Sequence, residues 1–227
     1  MTEFAAAAAL RLSSVNATGR SFGLKAGDLL LRIDGHSCDG QVKSLQARFR
    51  EAPEQERALT FWRNDAEWTV LCRTAVLGRW RNAPWPEGAS AESSQDGKLR
   101  NWEVMVDTNG CYDTQRRMPS LYALLVPVYL VHMRLWGALL LWIALTALCF
   151  PLGWMAGSGV QVLVSLYFWR SSPALVRADR NARGFRMWRV IAARNEAGIH
   201  QKVAKLAPEL RFVHGTTRSA GPAQTAE

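Results

Sequence analysis

The side chains able to do chemistry in this 227-residue chain are scattered rather than clustered. Its four histidines, His36, His132, His200 and His214, share no helical spacing. No HExxH and no H-x-E with paired cysteines is present, so no metal site and no cofactor are expected. His132 closes an apolar run and reads as an interfacial histidine rather than a proton relay. The cysteines, Cys38, Cys72, Cys111 and Cys149, form no CxxC pair and are expected to be reduced and mostly buried. Gly157-Ser158-Gly159 is too compressed for a nucleophile elbow, and Gly97-Lys98 lacks the spacing of a phosphate loop. No acid lies between Leu121 and Val176, which argues against an ion-coupled transporter. The chain is therefore expected not to be an enzyme. The remaining chemistry is cationic: Arg177, Arg180, Arg183, Arg186 and Arg189 recur every three residues behind Arg170. On a helix that step rotates back by about 60°, spreading the guanidinium groups around the surface.

The elements that must carry these residues divide unevenly. Net charge is +9 and hydrophobic residues make up 48%, yet residues 135–169 hold no charge at all. Mean hydropathy of -0.10 averages a polar first half with this apolar block. Residues 9–15 and 28–33 read as strands, the latter closed by Asp34-Gly35. Val42, Leu45 and Phe49 mark a short amphipathic helix over 42–52. Residues 57–62 and 68–77 read as two strands joined at Asn64-Asp65, a hairpin turn signal. The first residues lack the basic and apolar regions of a signal peptide, so the N-terminus is expected to stay on the side where it is made.

The run Phe22-Gly23-Leu24-Lys25-Ala26-Gly27-Asp28-Leu29-Leu30-Leu31-Arg32-Ile33-Asp34-Gly35 resembles the "GLKxGDxILxIDG" core of bacterial PDZ domains. The resemblance covers about 70 residues and implies a peptide-recognition fold, with Gly23, Leu24, Gly27 and Asp28 as candidate protein-interaction residues. PDZ domains hold a peptide carboxylate in a glycine-rich loop and add the peptide as a strand. Here only the alanine-rich residues 4–9 precede the first strand, so that loop is truncated or absent and a packing module is favoured over a peptide receptor.

Residues 78–118, with Pro84, Pro86, Gly88 and the small polar stretch 89–97, read as a linker containing one further strand over 101–107. Trp80 and Trp85 suit either a lipid interface or a cap on the preceding core. Residues 121–133 read as an interfacial segment, and residues 135–150 and 154–170 as the arms of a transmembrane hairpin turning at Pro151-Leu152-Gly153. Each arm has about sixteen residues, just short of the roughly 20 that span a bilayer comfortably. Gly153 and Gly157 form a GxxxG that suits close helix packing or self-association. Ser171-Ser172-Pro173 reads as a new helix start and residues 191–207 as a further helix, with a break near Gly184. Residues 214–227 read as a flexible end. Pro127-Val128-Tyr129, Arg134-Leu135-Trp136, Leu166-Tyr167-Phe168-Trp169-Arg170 and Arg183-Gly184-Phe185 resemble a family of small, uncharacterised bacterial inner-membrane proteins, which implies no activity.

From Arg170 to Arg211 ten Lys or Arg face three acids. With Arg134 in front, the positive-inside tendency places both ends in the cytoplasm and the turn outside. The architecture expected is an α+β PDZ-like domain (1–77), a linker (78–118), a transmembrane helical block (119–170) and a basic helical tail (171–213). Arg170, Arg177, Arg180, Arg183 and Arg186 are then candidates for contact with anionic lipid or a partner, or simply set topology; nucleic acid is disfavoured. Ten tryptophans suit a protein with much interface. The function expected is a non-enzymatic inner-membrane adaptor or accessory subunit of a larger membrane protein complex; the alternative is a regulatory PDZ cofactor of a separate membrane protease.

Overall fold

The computed structural model describes residues 8–89, 98–119, 121–149, 151 and 153–215. The residues before the first strand, most of the 89–97 stretch, Leu152 of the hairpin turn and all but the first two residues of the flexible end lie outside the described residues. A first sheet runs β5-β4-β2-β1-β6, with β3 paired to β2. Its strands are β1 (Ala8–Val15), β2 (Leu29–Ile33), β3 (His36–Ser37), β4 (Arg57–Arg63), β5 (Ala66–Cys72) and β6 (Gly78–Pro84). Two tight turns set the register. Asp34 and Gly35 between β2 and β3, and Asn64 and Asp65 between β4 and β5, all take positive φ, matching the twist of two-residue hairpins. Helix α1 (Ala17–Arg20) is capped by Asn16, and α2 (Val42–Glu51) buries Leu45 and Phe49 against the sheet.

A second sheet runs β10-β8-β7-β9, from β7 (Arg100–Val106), β8 (Cys111–Arg116), β9 (Arg186–Ala193) and β10 (Arg211–Phe212). Hairpin β7–β8 turns on Asp107, whose carboxylate accepts from the amides of Asn109 and Cys111. Helix α6 (Glu196–Leu206) follows β9 and sends Ile199 and Val203 into the core. Between β8 and β9 the chain leaves the sheet for a helical insertion: a 3-10 turn (Leu121–Leu124), α3 (Val126–His132), α4 (Trp136–Cys149) and α5 (Trp154–Ala182).

The two sheets share one apolar cluster, in which Phe61, Trp68 and Val70 of the first meet Trp102, Val104, Val190 and Ile191 of the second. Polar clasps hold the seam. The side-chain amide of Asn101 both accepts from and donates to the backbone of Leu71. Val190 N–H donates to Phe22 O at 3.1 Å, and the Arg189 guanidinium lies 3.9 Å from the Trp68 ring centroid.

This architecture overturns the expected one. Over the described residues the protein is a mixed α/β fold with two sheets and six α-helices, not a PDZ-like domain followed by a membrane block and a helical tail. The stretch read as a linker holds β6, β7 and β8, and the stretch read as a basic tail returns through β9, α6 and β10 to build the second sheet. Residues 186–193 are a strand because β7 offers them an open edge; tertiary pairing overrides the local helical pattern. Ser171, Ser172 and Pro173 start no helix but lie inside α5, which runs unbroken for 29 residues.

Among the described residues, no helix is long and apolar enough to cross a membrane. The 14 residues of α4 rise about 21 Å, against a hydrocarbon core of about 30 Å. α5 is long enough, but Arg170, Arg177, Asp179 and Arg180 occupy its second half. The transmembrane hairpin, the integral inner-membrane placement and the two-ends-cytoplasmic topology built on it are withdrawn.

Candidate functional site

The helical insertion is an arm built on a charged base. Arg177 and Arg180 lie one turn apart on α5 and reach two acids on the second sheet. Glu103, 1% exposed in the middle of β7, accepts from Arg177 Nη2 at 2.5 Å and from Gln115 Nε2 at 2.8 Å. Asp113 on β8 is held by Arg180, which also meets Asp179 at 3.0 Å. Asp179 takes Arg183 at 2.9 Å, closing a network along the last turn of α5. Gly184, with φ +91, then ends the helix and lets the chain reverse into β9. Below this network Tyr129, Leu130, Leu135, Phe168 and Val176 make a small second core joining α3, α4 and α5.

Beyond that core the arm is apolar and exposed. α4 buries none of its residues; Trp136, Leu140, Leu141, Ile143 and Leu148 all face outward. On α5 Trp154, Met155, Val162, Leu163, Leu166 and Tyr167 do the same. Single exposed apolar side chains are ordinary on protein surfaces, but contiguous ones on one projecting hairpin mark an interaction surface. Between the two helices lies an apolar groove of about 660 Å³, crossed by a hydrogen bond from Thr146 Oγ1 to Gln161 Oε1 at 3.2 Å.

The residues singled out from sequence fall in three places. Gly23, Leu24, Gly27 and Asp28 form the turn before β2, and each is engaged within the protein's own fold. Gly23 has φ +75 and sits so close to β9 that a Cβ there would lie 2.7 Å from Trp188 O. Leu24 is buried, and Asp28, 1% exposed, accepts from both Arg63 Nε and Nη2, at 2.5 and 2.6 Å, and from Lys25 N–H. Gly157 is buried at the close approach of α5 to α4, where a Cβ would lie 2.9 Å from Cys149 O. Gly153 is the N-cap of α5 with open space around it. The pair thus serves packing within this chain, through Gly157 alone. Of the five arginines, Arg177, Arg180 and Arg183 are engaged internally, while Arg170 and Arg186 are exposed with no carboxylate partner among the described residues.

The residues that sequence reasoning passed over are Glu103 and Asp113. A signal existed, because an acid inside Trp102-Glu103-Val104-Met105-Val106 sits on a strand too apolar to leave it solvated, and a buried acid needs a cation. Trp80 caps the core instead of facing outward: it stacks 6.4 Å from Phe61 and donates to Ala75 O. Trp85 donates to Ala89 O.

Titration is perturbed by burial. Cys72 is pushed up to about 12 by desolvation, and Cys38 is raised for the same reason. Desolvation and then the neighbouring Arg63 bring Arg189 down to about 10, which leaves it cationic near neutral pH between its two tryptophan rings. No group of three His, Cys, Asp or Glu among the described residues is placed to hold a metal ion. The chain matches no family model, no curated protein and no solved structure.

Proposed function

We propose that this protein is a non-enzymatic adaptor, an accessory subunit that joins a larger assembly through its helical arm. The observation that carries this reading is α4: fourteen residues without a charge, none buried, projecting from a well-packed two-sheet body. Leaving that much apolar surface in water is costly, at about 25 cal/mol per Å², and covering it on a partner recovers the cost. The partner that fits is another apolar helical surface, of the kind a membrane protein complex presents. An anionic surface fits less well, because three of the five candidate arginines are spent on Glu103, Asp113 and Asp179. A peptide receptor in the PDZ manner, and with it the protease-cofactor alternative, is not favoured, because Gly23 lies against β9, Leu24 is buried and Asp28 holds Arg63.

The test is co-purification of the full chain in mild detergent, beside a Leu140→Glu, Leu163→Glu double variant. Both positions are exposed, so the variant retains its fold by circular dichroism. A stoichiometric partner retained by the native chain and lost by the variant supports the proposal. A native chain that purifies alone as a monodisperse monomer, with no detergent needed for solubility, overturns it.

A further inference from the structure

At the base of the arm, away from its apolar tip, α5, α3 and the preceding 3-10 turn lean over the open end of strands β7 and β8 and enclose a cavity of about 510 Å³. That volume falls within the ordinary range of small-molecule pockets. Its walls combine aromatic and cationic groups. Trp102, Tyr122, Tyr129 and Phe212 line it, and so do Arg116, Arg134, Arg180 and Arg183, against only Asp113 and Glu196 as acids.

The arginines differ in what holds them. Arg180 and Arg183 are committed to Asp113 and Asp179. Arg116 lies over the Trp102 ring, 5.3 Å from its centroid, and Arg134 also lines the cavity, with its backbone at φ +55. Neither has a carboxylate partner among the described residues. Trp102, 5% exposed, forms the floor beneath Arg116.

We propose that this cavity is a binding site for a small organic anion with a planar apolar body, a carboxylate or phosphate monoester whose charged head lies between Arg116 and Arg134. The aromatic walls receive the body. Arg suits such a head because its fork pairs with two oxygens at once. The site is separate from the apolar tip of the arm and does not depend on the arm's partner.

The experiment is a titration of the full chain, 15N-labelled, with phenyl phosphate and with benzoate, following the indole N–H resonance that disappears in Trp102→Phe. Saturable movement of that resonance by either ligand is expected, and the ligand that binds tighter identifies the head group. Inorganic phosphate alone is expected to bind roughly tenfold more weakly or worse, because it leaves the aromatic walls unused. The Arg116→Gln, Arg134→Gln double variant, altered only at exposed positions, is expected to weaken binding by roughly tenfold or more while keeping its fold by circular dichroism. A Trp102 resonance that neither organic anion moves, or an affinity unchanged in the double variant, overturns the proposal.

Discussion

Arg177 on α5 and Glu103 on β7, separated by 74 residues in sequence, are joined by two hydrogen bonds, Nη2 to Oε1 at 2.5 Å and Nε to Oε2 at 3.2 Å. Their environments are unequal: the Glu103 side chain is 1% exposed and that of Arg177 is 42% exposed. This pair, with Arg180 and Asp113, fixes the arm to the second sheet.

That inequality predicts unequal losses. Glu103→Ala strands the inner groups of the network and is expected to destabilise by about 3 kcal/mol, the low end for a broken buried pair. Arg177→Ala leaves Glu103 with Gln115 and, at 4.0 Å, Arg117, and solvent already screens the guanidinium, so about 1 kcal/mol is expected. Urea denaturation of both single variants and the double variant checks this. The double should lose less than the sum, since the two residues share one interaction.

Asp28 predicts a larger effect at the seam between the sheets. Asp28→Asn removes the charge that holds Arg63 and leaves Arg63 and Arg189 facing each other without a counter-ion. A loss of about 3 kcal/mol is expected. Asp28→Asn combined with Arg63→Gln should restore part of it, read as a partial recovery of the melting temperature.

Two glycines with similar backbones should respond differently to alanine. Gly23 and Gly184 both have strongly positive φ, which costs a side-chain-bearing residue about 1 kcal/mol or more. At Gly184 nothing lies within 4 Å of the added methyl, so the cost stops there. At Gly23 the methyl meets Trp188 O and Arg189 Cα at 2.7 and 2.8 Å, both backbone atoms that cannot yield cheaply. Gly23→Ala is expected to destabilise at least twice as much as Gly184→Ala and to raise the hydrogen-exchange rate of the Val190 amide.

Cys72 makes stability fall with alkali. Its thiol titrates near 9.0 when unfolded and near 12 when folded, because burial disfavours the thiolate. The folded state therefore holds its proton more tightly: the stabilising difference is complete below about pH 9 and is lost as pH rises from there toward 12. Stability measured by urea titration should drop across that window, and less steeply in Cys72→Ala. At pH 8 a thiol reagent should modify half-buried Cys111 well before Cys72.

Local pattern was enough for part of this protein. Apolar runs and the Asp34-Gly35 and Asn64-Asp65 turns announce β1, β2, β4 and β5 of the first sheet, though not β3 or β6, because a two-residue turn with positive φ leaves few other geometries. Val42, Leu45 and Phe49 place α2, and the charge-free run with Gly153 near its middle places α4 and the start of α5. The glycine at 184 marks the end of α5 by the same kind of local argument.

What tertiary structure decided is where the cations and the last strands go. Arg177 and Arg180 look like solvated charge until β7 and β8 bring Glu103 and Asp113 against them, about 70 residues away in sequence, and no local pattern encodes that meeting. Residues 186–193 carry arginines and a helix-compatible pattern, yet they become β9 because β7 would otherwise expose a row of unpaired backbone groups in the middle of the fold. An uncharged run states only that it avoids water. Whether it is then long enough to cross a bilayer depends on helix ends, and α4 stops at Cys149 after about 21 Å.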